Sequence, residues 1–310
     1  MPQRVTVRGV TDTASAEFAR QIERVAAIAG LVAQCALTAA YWTDLYREPG
    51  QSISEIDERL GSMSDVEDPL LTAHRFAKFY LISAGDCVDT MTKLLMADYP
   101  NLVGCAAVAR SAAEHASRSM YLSDPCISYQ ARLLRTSLLM SNSLREYKST
   151  HDSGATSVID AWNRWRARTG AAFKDQSKQK LPNATGLIQR YFSGEGTSRY
   201  EELSRPTHGN AAWLAITVIQ EQKETPVARI MMMRNALFAV RCVVAATVSI
   251  ARLWQLDLSS VVESVGERGD ADTSPTWEEI EAYVRDLGNA VSAIDERQFV
   301  DLTPDPQPPR

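Results

Sequence analysis

The stretch DPLLTAHRFAKFYLISAGDCVDTMTKLL, residues 68–95, decides the fold class because it has the pattern of one long amphipathic helix. Asp68 followed by Pro69 is typical of a helix start, since the first turn needs no amide donor from proline. Apolar residues then recur at steps of three and four, which is the spacing of one helical face: Leu70, Ala73, Ala77, Tyr80, Ala84, Val88, Met91 and Leu95. We therefore expect a helical domain built around this segment.

The remaining segments repeat this pattern, and no run of residues has a convincing strand pattern. Ser52-x-x-Glu55 and Thr276-x-x-Glu279 are capping boxes, which open helices. Asp124-Pro125 repeats the start signal of Asp68-Pro69. The prediction is an all-α protein, an antiparallel up-and-down bundle over residues 1–256 with an irregular insertion at about 151–197, an acidic C-terminal helical segment over 257–300 and a disordered tail over 301–310.

Composition places the chain among ordinary globular proteins: of its 310 residues 45% are hydrophobic and 23% charged. The five cysteines are scattered without a CxxC pair, which favours reduced thiols in the cytoplasm and no metal site. No cofactor motif is present, so no cofactor is expected. Residues 235–254 are the most apolar stretch, but they include Arg241 and Arg252. Since a charge inside a membrane is costly, we interpret this stretch as a core helix and expect no membrane partner.

Charge is distributed unevenly along the chain. Residues 257–310 hold 13 acidic and 4 basic side chains, whereas the preceding 256 residues hold 25 acidic and 29 basic ones. The overall charge of −5 therefore combines a weakly basic body with an acidic C-terminal segment. Neither part is charged strongly enough to require a nucleic-acid partner by itself.

The first candidate site is a row of charged residues in the segment RSAAEHASR. Arg110, Glu114 and Arg118 are spaced by four, which places them above one another on a helix. One interpretation is a structural ladder with a carboxylate between two guanidinium groups. The other is a functional polar site in an alanine-rich helix. Burying three charges is costly unless they are fully paired, so their burial would indicate a site. His115 lies on the flank of this face, five residues after Arg110.

The second candidate site is the segment YEELSRPTHGN, residues 200–210, where Pro206 interrupts a helix. Tyr200, Ser204 and His208 are its candidate site residues, and the alternative is a helix-capping loop with an incidental histidine. We expect Arg110, Glu114 and His208 to approach one another in the bundle core, because the other inward residues of these helices are small or apolar.

The third candidate is a basic stretch over residues 164–180, which contains six basic side chains and one acidic side chain. Arg164, Lys174 and Lys178 are its candidate binding residues. Trp162 and Trp165 are interleaved with them, and basic groups beside aromatic rings can hold phosphates and stack bases. The alternative is an ordinary solvated helix face.

The first two segments, ARSAAEHASRSMYLSDP and YEELSRPTHGN, resemble HEPN-like all-helical proteins, and within them a bacterial group related to abortive-infection proteins. That group shows an Arg-x3-Glu helix and a later Tyr-x2-Leu-Ser-x3-His-Gly element, matched here by Arg110, Glu114, Tyr200, Leu203, Ser204, His208 and Gly209. HEPN ribonucleases share an Arg-x4–6-His motif. Arg110 and His115 fit this spacing. A motif ending at His208 would need an arginine at position 201, 202 or 203, and none is present there. The match covers about 28 residues directly.

The resemblance implies an RNA-binding protein or a metal-independent ribonuclease, in defence or stress response. A histidine would move the 2′-hydroxyl proton or protonate the leaving oxygen, and an arginine would stabilise charge on the phosphoryl group. Two alternatives stay open: a non-catalytic helical binding module with a degenerate site, and a small-molecule enzyme that uses the polar cluster in a bundle pocket. RNA and a second copy of the chain, forming a homodimer, are the partners considered.

Overall fold

The computed structural model describes residues 12–42, 52–61, 66–147, 153–169, 180–223, 225–267 and 275–295. These residues form twelve helices and no strand. The helices are α1 (Asp12–Tyr41), α2 (Ile53–Gly61), α3 (Pro69–Leu95), α4 (Leu102–Ser123), α5 (Tyr129–Tyr147), α6 (Ser153–Thr169), α7 (Ala184–Tyr191), α8 (Glu195–Thr207), α9 (Ala211–Gln222), α10 (Val227–Trp254), α11 (Leu258–Gly266) and α12 (Trp277–Ser292). The all-α prediction is confirmed for this part of the chain.

Four long helices build the main core. α3 packs against α1, α4 and α10, and α10 also contacts α1 and α4. Alanine is frequent on the buried faces, for example Ala33, Ala84, Ala113 and Ala246, which are all fully buried. Small side chains let the helix axes approach closely, so neighbouring helices of the core contact one another along much of their length. The predicted stripe at 70–95 forms the buried face of α3, with one difference: Leu81 is fully buried, whereas Tyr80 is only half-buried.

The shorter helices cover this core on different sides. α7 and α8 lie against α4, α11 lies against α1, and α12 lies against α10 and α1. The acidic C-terminal segment thus contributes buried residues such as Val261, Trp277 and Val284 to the main core. α2, α5, α6 and the first turns of α3 form a second hydrophobic cluster around Trp162 and Trp165.

The helix starts show how local signals and distant contacts combine. Both capping boxes form as predicted, with reciprocal hydrogen bonds at Ser52 and at Thr276. Asp68 precedes α3, yet its side chain makes no capping hydrogen bond. The cap comes instead from Asp57 on α2, whose buried carboxylate accepts the amide hydrogens of Leu70 and Leu71 at 2.7 and 3.0 Å.

The prediction that Asp124-Pro125 starts a helix is wrong. Asp124 follows the last residue of α4, and α5 begins at Tyr129. The Asp124 carboxylate accepts the amide hydrogen of Cys126 and lies 3.4 Å from Nη1 of Arg135, so it stabilises a turn. Ser128 caps α5 instead, by accepting the amide hydrogen of Ala131.

Among the residues that the structure describes, two helical segments, Glu17–Tyr41 and Val227–Trp254, are long and apolar enough to cross a membrane by length and composition alone. Core helices of water-soluble proteins pass the same test. In both segments more than half of the most apolar window is buried within the protein.

Candidate functional site

The charged row on α4 forms as its spacing predicts. Arg110 Nε donates to Glu114 Oε1 at 3.0 Å, and Arg118 Nη2 donates to Glu114 Oε2 at 3.4 Å. The side chains of Arg110, Glu114 and Arg118 are 24%, 19% and 27% exposed. One carboxylate therefore lies between two cations at the edge of the bundle, where all three groups still reach water.

Tyr200 on α8 is the third partner of Glu114. Its hydroxyl donates to Glu114 Oε1 at 2.7 Å, and the Arg110 guanidinium lies over the Tyr200 ring at 5.4 Å from its centre. Burial opposes ionisation of Glu114, but the Tyr200 hydrogen bond and the two guanidinium groups outweigh it and lower the pKa of this carboxyl. Burial and the contact with Glu114 raise the pKa of Tyr200. At neutral pH the pair is a carboxylate and a phenol.

Arg110 also reaches the end of α8. Its Nη1 donates to Thr207 Oγ1 at 2.8 Å and lies 3.2 Å from His208 Nε2. Since a guanidinium only donates, Nε2 of His208 is the acceptor in this arrangement and the ring proton is on Nδ1. Gly209 follows with a φ of +65°, which a glycine adopts without strain, and the chain turns there towards α9.

The structure thus connects Arg110, Glu114 and His208 into one cluster, as expected, but the expected location in the bundle core is wrong. His208 and Thr207 are exposed, and the row on α4 is only half-buried. The reason is that α8 covers α4 with its buried side chains Tyr200 and Leu203 and then ends at the surface. We call Arg110, Glu114, Tyr200, Thr207 and His208 the polar cluster.

Two predicted site residues lie apart from the chemistry of the polar cluster. His115 is half-buried and stacks on Tyr80 with ring centres 6.0 Å apart, and its Nδ1 has no hydrogen-bond partner in the described part of the chain. Burial and the nearby Arg118 lower the pKa of His115, so it is neutral at pH 7. Ser204 Oγ donates to the Tyr200 carbonyl within α8, so its hydroxyl proton is used in a local bond to the backbone.

The predicted basic stretch is only partly described. Arg164 is exposed on α6, and Lys180 is exposed before α7, whereas Lys174 and Lys178 lie outside the described residues. The interleaved Trp162 and Trp165 are 1% and 0% exposed and pack edge to face. The expectation that these rings stack bases is therefore wrong, because the amphipathic α6 turns them into the second hydrophobic cluster.

Sequence reasoning missed three residues around α4. Thr207 accepts a hydrogen bond from Arg110, but nothing in the sequence around Thr207 predicts this contact. Arg132 and Arg135 on α5 are buried and donate to the carbonyl oxygens of Leu122 and Tyr121 at 2.7 and 2.6 Å. These carbonyl oxygens lie in the last turn of α4, where no amide of the same helix can donate to them. The two guanidinium groups therefore cap the C-terminus of α4. The only signal was a pair of arginines three residues apart on an amphipathic helix.

The polar cluster can bind and polarise an anionic group. Arg110 offers a partly exposed guanidinium, and His208 offers an exposed imidazole beside it. Among the described residues no group of three or more histidine, cysteine or acidic side chains could hold a metal ion. An imidazole and a guanidinium can supply proton transfer and charge stabilisation.

Replacing Glu114 with glutamine tests the electrostatics of the polar cluster. The folded-state pKa of Glu114 is below 4.5, so its ionised form stabilises the fold above that pH, and this contribution is lost as the pH falls through the folded pKa. At pH 7 we expect a loss of about 2 kcal/mol, between the values for exposed and buried pairs. Urea unfolding at several pH values should show the difference between the variant and wild type shrinking as the pH falls below 4.5. A constant difference between pH 7 and pH 3 would contradict the assignment.

Comparisons with known protein families, with curated proteins and with solved structures find no match for this chain. The polar cluster must therefore be interpreted from its own geometry.

Proposed function

We propose that this protein is an HEPN-like up-and-down bundle of the cytoplasm that binds RNA and cleaves it without a metal ion. The observation that carries the proposal is the contact between Arg110 Nη1 and His208 Nε2 at 3.2 Å, on an exposed part of the surface. It joins the Arg-x3-Glu and His-Gly elements on which the resemblance rests. RNA cleavage needs a proton carrier and a cation at the same phosphate.

In the proposed reaction Arg110 turns from His208 to the bound phosphate, which frees Nε2 of His208. Nε2 then takes the proton of a 2′-hydroxyl, and the 2′-oxygen attacks the adjacent phosphorus. The bond to the 5′-oxygen breaks, and that oxygen leaves with a proton from solvent. Arg110 stabilises the negative charge on the phosphoryl oxygens. Glu114 and Tyr200 orient Arg110 and do not touch the substrate. The products are a 2′,3′-cyclic phosphate and a 5′-hydroxyl.

The test is incubation of the purified protein with total RNA in excess EDTA, followed by analysis of the cleaved ends. The proposal expects 2′,3′-cyclic phosphate and 5′-hydroxyl ends. A protein prepared in parallel with His208→Ala controls for a contaminating nuclease. Cleavage that stops in EDTA, or that produces 3′-hydroxyl ends, would contradict the proposed chemistry.

A non-catalytic binding module is the second candidate, and α9 favours it. Ile216, Val218 and Ile219 on this helix are 49%, 47% and 37% exposed, which makes an apolar surface directly after His208. A second copy of the chain is the partner proposed for this surface. Sedimentation of wild type and Ile216→Glu tests it: a homodimer should become monomeric, and an unchanged monomer in both samples would remove this candidate partner.

The basic stretch gives a separate prediction about RNA affinity. We expect Lys174, Lys178 and Lys180 to contact phosphates. Changing all three to alanine should therefore reduce the slope of the logarithm of the binding constant against the logarithm of the salt concentration by up to about 2, at roughly 0.7 per contact. Fluorescence anisotropy with a labelled single-stranded oligonucleotide at several salt concentrations measures this slope. The control changes Lys78, Lys93 and Lys223 to alanine. Equal slopes for both triple variants would identify the stretch as an ordinary solvated surface.

The acidic C-terminal segment is expected to weaken this binding. Deleting it is not a clean test, because α11 and α12 contribute buried residues to the main core. Neutralising three of its exposed carboxylates with Glu263→Gln, Glu267→Gln and Asp286→Asn removes charge without removing core. Affinity at low salt should rise, and an unchanged affinity would show that the acidic segment does not compete with RNA.

A further inference from the structure

A groove of about 710 Å³ lies between α10, α12 and the end of α4. This volume is typical of small-molecule sites. The groove lies near Met120 and Asp124, so it is roughly 15 Å along α4 from Arg110, at 1.5 Å per residue. It is therefore separate from the polar cluster.

The floor of the groove is a single stripe of α10. Val244, Ala245 and Val248 form its apolar centre, and Arg241 and Arg252 stand at its two ends. Eleven residues separate the two arginines, which corresponds to about 16 Å along a helix. Val284 on α12 adds to the apolar wall. The groove thus offers an apolar middle with cationic ends.

The two carboxylates in the lining are already engaged. Asp124 lies 3.4 Å from Arg135 and 3.6 Å from Arg190. Glu281 accepts the indole hydrogen of Trp277 at 3.0 Å. Arg252 is exposed, and the described part of the chain supplies no ion-pair partner for it. The lining also includes Arg285, so its three arginines outnumber its two carboxylates, and an anion can pair with Arg252 without displacing a carboxylate.

Tyr191 supplies an independent observation. Its hydroxyl oxygen is buried in the lining and has no hydrogen-bond partner among the described residues. A buried hydroxyl without a partner is costly, so such groups in native proteins usually serve a ligand or an ordered water. Burial raises the pKa of Tyr191 to about 12, so the hydroxyl keeps its proton and can donate.

We propose that this groove binds a small organic anion with an apolar body, of the fatty-acid type. The apolar chain lies along Val244, Ala245 and Val248, and the acidic group pairs with Arg252. Tyr191 is a hydrogen-bond donor in the same wall. The proposal does not depend on RNA chemistry at the polar cluster.

Calorimetric titration with dodecanoate, below its micelle concentration, tests the site. Wild type should bind at one saturable site. Arg252→Ala should weaken binding about tenfold, because it removes a charge-assisted hydrogen bond. Val248→Trp should abolish binding by filling the groove. Arg75→Ala, which removes an exposed arginine from α3, should bind as wild type does.

Cys126 provides a second measurement that needs no variant of the groove. It lines the groove and is exposed, whereas burial raises the pKa of Cys35 and Cys105 to about 12. N-ethylmaleimide should therefore label Cys126 first, and saturating dodecanoate should slow this labelling several-fold. The proposal is overturned if wild type shows no saturable binding, if all variants bind equally, or if the Cys126 labelling rate does not change at saturation.

Discussion

Replacing His208 with alanine is expected to lower the rate of metal-free RNA cleavage by about 10²–10⁴-fold, the usual contribution of a general acid or base. The imidazole is exposed at the end of α8 and contacts the Arg110 side chain at the protein surface. Its removal should therefore leave the fold intact. The rate of cleavage of a fluorescent oligoribonucleotide in EDTA, with equal circular dichroism melts for both proteins, measures the effect.

His115 is the matched control for His208. The sequence offers both histidines as partners of Arg110, but the structure stacks His115 on Tyr80, away from Thr207 and His208. His115→Phe keeps an aromatic ring against Tyr80 and should cleave RNA at nearly the wild-type rate. Loss of activity in this variant with normal activity in His208→Ala would contradict the proposed site and favour the Arg-x4-His string.

Replacing Arg132 with alanine is expected to lower the free energy of unfolding by about 3 kcal/mol, since it removes charged hydrogen bonds from a buried position. Arg132 is 1% exposed, and its Nε and Nη2 donate to the carbonyl oxygens of Leu122 and Asp124. Without it, the end of α4 keeps buried acceptors that lack a donor, and a cavity remains between α4 and α5.

Urea unfolding at pH 7 measures this loss, with Arg75→Ala as the control for removing one positive charge. The exposed Arg75 should change stability by less than about 0.5 kcal/mol. A loss below about 1 kcal/mol for Arg132→Ala would mean that water replaces the guanidinium at the end of α4. In that case the two arginines of α5 would not be its caps.

The sequence alone determines most helices and their buried faces. The stripe from Leu70 to Leu95 and the capping boxes at Ser52 and Thr276 form as predicted. These signals are local, because a helical face repeats every three or four residues and a capping box spans four. The ladder of Arg110, Glu114 and Arg118 belongs to the same class, since a spacing of four places the side chains together whatever surrounds the helix.

Tertiary structure decides which distant groups complete these elements. Asp57 caps α3 in place of Asp68, and Asp124 stabilises a turn instead of opening a helix, because partners 13 and 11 residues away compete for the same hydrogen bonds. The polar cluster depends on longer contacts still: Arg110 meets His208 across 98 residues. Whether that meeting lies in the core or at the surface depends on how α8 covers α4, and this is set by the packing of Tyr200 and Leu203 rather than by any spacing in the sequence.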